Sequence, residues 1–329
     1  MAERPSEQER PAVLPVLPRT EAIANGLRVR APAKLNLNLL VGLRRADGFH
    51  DLDSVVAKVT LYDEIELRPR GDGQITFSCT GADCGSDERN LALLAARLLA
   101  EETKDNVRMA AQTMCRHGAL RRTKRGVGVD IALSKRIPPG KGLGGGSSDA
   151  AAVLMALNEL WDLRLPQAEL SALAAELGSD VPLFLGPPTL RITGRGERVA
   201  PARVHPFLAV LYLPGFSCPT AEVYRSFDEL AKAPPAPRKL GMRAVRERPP
   251  SRWRHLLRND LAPAARRICR ELGRVWDDLA RRARRPVQMT GSGSALFVLC
   301  DDEDEAAAVL GEMPQDVRRQ CLLVQQNRW

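Results

Sequence analysis

The chain has 329 residues, 44% of them hydrophobic, which is enough for a globular protein of two domains. Aromatics make up only 4%, so the core must rest on Leu, Val, Ile and Ala. Forty-nine Lys and Arg against forty Asp and Glu give a net charge of +9, and no apolar run approaches the roughly eighteen residues of a membrane span. Residues 1–26 carry prolines at 5, 11, 15 and 18 and too little hydrophobic sequence for a signal peptide, and read as a disordered extension. From Leu27 the pattern becomes ordered. Leu35, Leu37, Leu39 and Val41 alternate with Asn36, Asn38 and Leu40, as in a half-buried strand. Further strands are expected at Val55–Leu61 and Ile65–Arg68, the second forming a hairpin through Gly71-Asp-Gly73 with Gln74–Cys79. An apolar helix runs from Asn90 to Leu99. Residues 104–125 then break the rhythm with seven basic groups against Asp105.

A strand at Val127–Leu133 leads into the sequence Pro138-Pro-Gly-Lys-Gly-Leu-Gly-Gly-Gly-Ser-Ser-Asp-Ala-Ala-Ala152. Five glycines fall within seven residues, and Ala150, Val153, Leu154, Leu157, Leu160 and Trp161 follow at helical spacing. Ser147, Ser148 and Asp149 all suit a helix start. A glycine loop opening on a helix N-terminus offers unpaired backbone N–H groups and the positive end of the helix dipole. Phosphate oxygens approach those donors closely where no side chain intervenes. The loop is therefore read as an anion cradle rather than a linker. Its lysine, Lys141, precedes Gly142, so the spacing is not that of a P-loop, nor is it a dinucleotide fingerprint. A second helix spans Pro166 to Leu177 and stops at Gly178, before Ser179-Asp-Val-Pro182. Strand-like runs at Phe207–Leu213 and Ala295–Cys300 flank arginine-rich helices, and residues 231–250, with five prolines, read as a connector. The mixture is α+β, with a domain break near 190–205.

Seven scattered cysteines without a Cys-x-x-Cys pair read as reduced thiols of a cytoplasmic protein. Four scattered histidines suggest no metal cage. The basic runs are read as solvated faces. Taken alone, Lys34 is a surface charge beside a strand and Asp180 a helix cap. Phe49 with His50 is packing after a turn, and Tyr224 a helix-face aromatic.

Four blocks in order change those readings. They are Pro32-Ala-Lys-Leu-Asn-Leu37 with Arg45-Ala-Asp-Gly-Phe-His50, the glycine loop, Gly178-Ser-Asp-Val-Pro182, and Met289-Thr-Gly-Ser-Gly-Ser294. Together they resemble the GHMP kinases, and especially the branch acting on a cytidyl diphosphate alcohol. The resemblance implies an N-terminal domain of the ribosomal S5 domain 2-like type (27–200, binding ATP) and a ferredoxin-like C-terminal domain (201–329, binding substrate). It implies that ATP, with Mg²⁺, lies on Pro138, Gly140, Lys141, Gly142, Leu143, Gly144, Gly145, Gly146, Ser147 and Ser148. Asn90 resembles a nucleotide contact, an N-cap being the equal alternative. Lys34 and Asp180 match the family's catalytic pair. Phe49 and Tyr224 match aromatics that sandwich the cytosine, and His50 a hydrogen-bonding partner of that base. Phe49 departs from the commoner tyrosine. Asn36 is placed with the substrate, as are Gly291, Ser292 and Gly293, which form either a nest for the substrate's diphosphate or a strand-entry turn. The implied reaction is phosphorylation of the 2-hydroxyl of 4-diphosphocytidyl-2-C-methyl-D-erythritol for isoprenoid precursor synthesis, by a monomer or homodimer without nucleic acid or membrane partners. A kinase of another alcohol, such as mevalonate or homoserine, and a basic nucleic-acid-binding module are the alternatives.

Overall fold

The computed structural model describes residues 12–82, 87–102, 128–230 and 242–329. The basic segment 104–125 and most of the proline-rich connector lie outside them. In chain order the elements are β1 (Thr20–Ile23), β2 (Gly26–Arg44), β3 (His50–Arg70), β4 (Ile75–Gly81), α1 (Leu91–Glu102), β5 (Gly128–Lys135), α2 (Gly145–Leu160), α3 (Gln167–Leu177), α4 (Val181–Leu185), β6 (Thr189–Gly194) and β7 (Arg198–Pro201). There follow β8 (Leu208–Tyr212), α5 (Thr220–Leu230), α6 (Met242–Glu247), α7 (Ala262–Ile268), α8 (Arg270–Ala283), β9 (Gln288–Met289), β10 (Leu296–Cys300), α9 (Glu303–Gly311), α10 (Gln315–Arg318) and β11 (Cys321–Gln325).

Two sheets result. The first has seven strands, ordered β1-β2-β3-β5-β4, with β6 also paired to β3 and β7 to β6. The second has four, ordered β11-β8-β10-β9. The side-chain period of two divides their faces. On the second sheet, Ala209, Leu211, Phe297, Leu299 and Val324 pack against Leu35, Leu37, Ala57 and Val59 of the first. Val210, Tyr212, Val298 and Leu323 instead meet the helices α5, α7, α8 and α9. The outer face of the first sheet is covered by α1 to α4. Ala150–Ala152 and Ala156 are buried in α2, their small side chains letting that helix lie close to the strands.

An irregularity in the β2–β3 ladder lies beside the site. The β2–β3 register shifts between Pro32 and Ala33. Val29 and Ala31 belong to the helix-side core, whereas Ala33, Leu35 and Leu37 belong to the layer between the sheets. At this irregularity Thr60 and Leu61 of β3 have no partner in β2, and the odd-numbered side chains of β2 pass from one core to the other. Alternation along the strand then turns Lys34 and Asn36 away from the sheet–sheet layer.

Several expectations are corrected. Residues 50–70 form one long strand rather than two. The Gly71–Gly73 turn does not make a hairpin of paired strands, because β5 lies between β3 and β4 and pairs antiparallel with one and parallel with the other. The extension is not disordered throughout. From residue 12 it is docked: β1 pairs with β2, the Leu14 amide donates to Leu323 O at 2.9 Å, and the Trp329 indole donates to Leu17 O at 2.7 Å. Its prolines interrupt secondary structure without preventing those contacts. The reading of every thiol as reduced also fails: Cys218, Cys269, Cys300 and Cys321 are free, but Cys79 is disulfide-bonded. Among the described residues, no helix is long and apolar enough to cross a membrane.

Candidate active site

The glycine loop joins β5 to α2. Gly140, Gly142 and Gly144 have φ of 68°, 75° and 72°, where side chains are strained, so alternate glycines coil the loop. Gly144 is the residue before the helix, and α2 begins at Gly145. Ser147 and Ser148 therefore lie within the first turn instead of capping it. The Ser148 hydroxyl and one Asp149 oxygen are buried without a hydrogen-bond partner.

Residues far apart in sequence hold the loop. Lys135 donates to Asp63 at 2.6 Å and to Asp149 at 2.7 Å, all three buried. The other Asp63 oxygen accepts from the amides of Arg136 and Ile137 at 2.5 and 2.8 Å, fixing the chain as it leaves β5. Burial first, and the charge of Asp63 second, hold the Asp149 carboxyl well above the usual carboxylate range. Lys135 is raised: burial opposes its charge, but the two carboxylates more than compensate. No sequence motif marked this triad.

Opposite the loop, Lys34 is buried and donates to Asn36 Oδ1 at 2.5 Å. Burial pulls its ammonium below the ordinary lysine value, and Asp180 opposes that shift. Asn36 Nδ2 donates to Ser54 at 2.9 Å, and the Asn36 amide donates to Thr290 Oγ1 at 3.0 Å. The Thr290 hydroxyl in turn donates to Gly142 O at 3.2 Å. The first, second and fourth sequence blocks therefore meet at this point. Asp180 precedes α4 in the N-cap position, yet its side chain makes no cap hydrogen bond. It lines the cleft.

That cleft encloses about 670 Å³. Lys34, Asn36, Phe49, His50, Gly142, Gly144, Ser147, Asp180, Tyr224, Gly291 and Ser292 all line it. Tyr224 and His50 rings lie 5.3 Å apart, and burial, with the nearby Asp180 charge, pushes the Tyr224 phenol up to about 12. Phe49 is 56% exposed, with the Arg195 guanidinium 5.2 Å from its ring centroid. The other candidates lie off the cleft wall. Asn90 accepts from the Ala92 amide at 3.0 Å, as an N-terminal capping residue does. The ammonium of Lys141 donates to Phe216 O and, at 3.3 Å, to Ser217 Oγ, so it anchors the loop to the segment before α5. Leu143 is core, and its carbonyl accepts from the Lys34 amide at 2.9 Å. A side chain at Gly145 would point inward, 2.9 Å from Ile137 Cγ2, not toward a phosphate. Gly146 is open apart from Leu91 at 3.6 Å. Pro138 and Gly140 stand before the loop's inner turn, and Gly293 packs on Met289. Arg44, Arg195 and Asp228 also line the cleft and were not singled out from sequence, because each sits in an ordinary turn or helix pattern.

A two-sheet α+β chain with this loop is a GHMP kinase: the GHMP kinases N terminal domain matches residues 90–186, and the GHMP kinases C terminal domain residues 242–319. A homoserine kinase structure from Cytophaga hutchinsonii shares the fold at a TM-score of 0.61 and 15% identity, covering 94% of this chain and 96% of that one. Over 276 residues the chain is 36% identical to a 4-diphosphocytidyl-2-C-methyl-D-erythritol kinase of Shouchella clausii, covering 84% of this chain and 86% of the relative. A crystal structure of 4-(cytidine 5'-diphospho)-2C-methyl-D-erythritol kinase aligns at a TM-score of 0.68 with 34% identity, over 91% of this chain and 99% of that one. The chain belongs to this family of 4-diphosphocytidyl-2-C-methyl-D-erythritol kinases.

Proposed function

We propose that this chain transfers the γ-phosphoryl group of ATP to the 2-hydroxyl of 4-diphosphocytidyl-2-C-methyl-D-erythritol, a step of non-mevalonate isoprenoid precursor synthesis. One observation carries the reading. A single cleft holds Lys34 and Asp180, the mouth of the glycine loop, and the Phe49, His50 and Tyr224 rings. That combination suits an anionic phosphoryl donor at one end and a planar base at the other. Asp180 accepts the hydroxyl proton as the alcohol attacks. Lys34 stabilises charge developing on the transferred group, an effect strengthened by its burial. No covalent intermediate is required, so positioning and electrostatics carry the catalysis.

The loop amides and the Ser147 and Ser148 hydroxyls hold the ATP phosphates. The partnerless, buried Ser148 hydroxyl fits an anion or its cation. Mg²⁺ would come with the nucleotide, held on its phosphates rather than by a protein cage. When bound, Mg²⁺ neutralises charge on the phosphates. Residues 27–200 supply the nucleotide side, and 201–329 contribute Tyr224 and the Gly291–Gly293 turn to the substrate side. The test is ADP release with the cytidyl substrate against mevalonate and homoserine. Turnover of the cytidyl compound alone supports the assignment. Preference for either other alcohol would overturn it.

A further inference from the structure

Contacts on every side hold the His50 ring in the cleft wall. Its Nδ1 lies 3.0 Å from Gly42 O, which a ring N–H must satisfy by donating. Its ring packs on Tyr224 and, edge-on at 5.7 Å, on Phe227. The remaining nitrogen, Nε2, faces Asp228 Oδ1 at 3.2 Å. Tyr224 and Asp228 are four residues apart on α5, so one helix face delivers both the aromatic ring and the carboxylate to the same imidazole. Asp228 also lines the cleft. Its other neighbour, Arg44 Nε, is 4.0 Å away on a side chain that is 64% exposed. The carboxylate thus keeps lone pairs for a ligand.

We propose that Asp228 is a specificity-determining residue that accepts a hydrogen bond from the exocyclic amine of the cytosine, with His50 held beside it. The assignment rests on the cytidyl reading above and deepens it. A carboxylate only accepts, and the cytosine amine is a donor that Asp or Glu can engage. Uracil carries a carbonyl oxygen at that position. Its lone pairs would face those of Asp228, leaving both unpaired in a partly desolvated site. Rejection of this kind is stronger than a missing contact, because the site's own polar group is stranded. Asp228 touches no reacting atom; it acts on the choice of base.

The test is the ratio of kcat/KM for the cytidyl substrate to that for its uridyl analogue, in the native enzyme and in Asp228→Asn. The amide can donate as well as accept, so the ratio should fall by at least about fivefold, the low end for one base contact. A purely structural role would lower both values together and keep the ratio. An unchanged ratio, in a native enzyme that prefers the cytidyl compound, overturns the Asp228 assignment and leaves the cytidyl reading standing. A native enzyme that uses both compounds equally overturns the two together. Should the variant fail to fold, calorimetry on the native enzyme decides: CDP should bind at least about fivefold tighter than the analogue lacking the 4-amino group. Equal binding would refute the proposal.

Discussion

Asp63→Asn probes how the glycine loop is held. Asparagine keeps an oxygen for the Arg136 and Ile137 amides, but its amide would face the Lys135 ammonium 2.6 Å away, donor against donor. Breaking a buried ion pair by changing one partner costs about 3–5 kcal/mol. Asp149 remains to pair with Lys135, so we take the low end, about 3 kcal/mol. With about 2.1 cal/mol/K of unfolding entropy per residue, a chain of 329 residues would lose roughly 4 °C of Tm. Urea unfolding at neutral pH measures the loss. The pH dependence checks its cause. Asp149 has a folded-state pKa above its unfolded value, so the folded protein binds more protons and the contribution of this group fades as pH rises through that window. Removing the Asp63 charge lowers the folded value and flattens that slope. ATP affinity should fall too, because Ile137 leads directly into the loop. A loss below about 0.5 kcal/mol, the size of an ordinary surface substitution, or an unchanged slope would refute the coupling.

Asp180→Asn should lower kcat at least about 10²-fold, the low end for a general base. Lys34→Ala should do similar damage, and the double variant should be little worse than the worse single one in steady-state assays. Gly142→Ala should lose both stability and ATP binding, because a Cβ there would sit 2.2 Å from Thr290 O at a φ of 75°. Gly146→Ala should keep its Tm, the new methyl meeting only Leu91 at ordinary contact distance; melting curves and ATP calorimetry on the pair separate fold from binding. Burial, with Arg19 adding to it, pulls Lys58 down to about 7, so between there and 10.5 the unfolded chain binds more protons and stability should rise with pH. Lys58→Met should flatten that rise in urea midpoints taken across the window.

What could be seen in the sequence was local or motif-borne. The glycine loop, the α2 and α3 helices and the Gly178 stop follow from spacing of apolar residues and from glycine chemistry. The gathering of Lys34, Asp180 and His50 in one cleft followed from the order of four blocks, and the place of Tyr224 from the resemblance those blocks carry, since no periodicity could have brought positions 34, 180 and 224 together. What escaped was long-range. Asp63, Lys135 and Asp149 are separated by 72 and 14 residues; the first two look like ordinary surface charges and the third like a helix-start residue until the strands pair. The parallel β4–β5 pairing escaped for the same reason, because a turn sequence announces a reversal and not the strand that will lie alongside. Lys141 and Gly145 show the limit within the motif itself. Their place in the loop suggested phosphate contact, whereas one side chain points to Phe216 and the other would point to Ile137.

The two sheets are joined more closely than their separate sequence signatures suggest. The Asn327 amide donates to Lys58 O at 2.8 Å, the Gln325 amide donates to Thr60 Oγ1 at 3.0 Å, and Leu39 exchanges backbone hydrogen bonds with Arg258 and Asp260. Leu35, Leu37 and Ala57 are wholly or almost wholly buried by residues of the other sheet. A polypeptide cut near residue 200 would therefore expose an apolar sheet face on each fragment. The halves should not be separable into autonomous pieces, and their melting should be one cooperative event. For the same reason the cleft cannot gape like hinged jaws, because its floor is continuous strand.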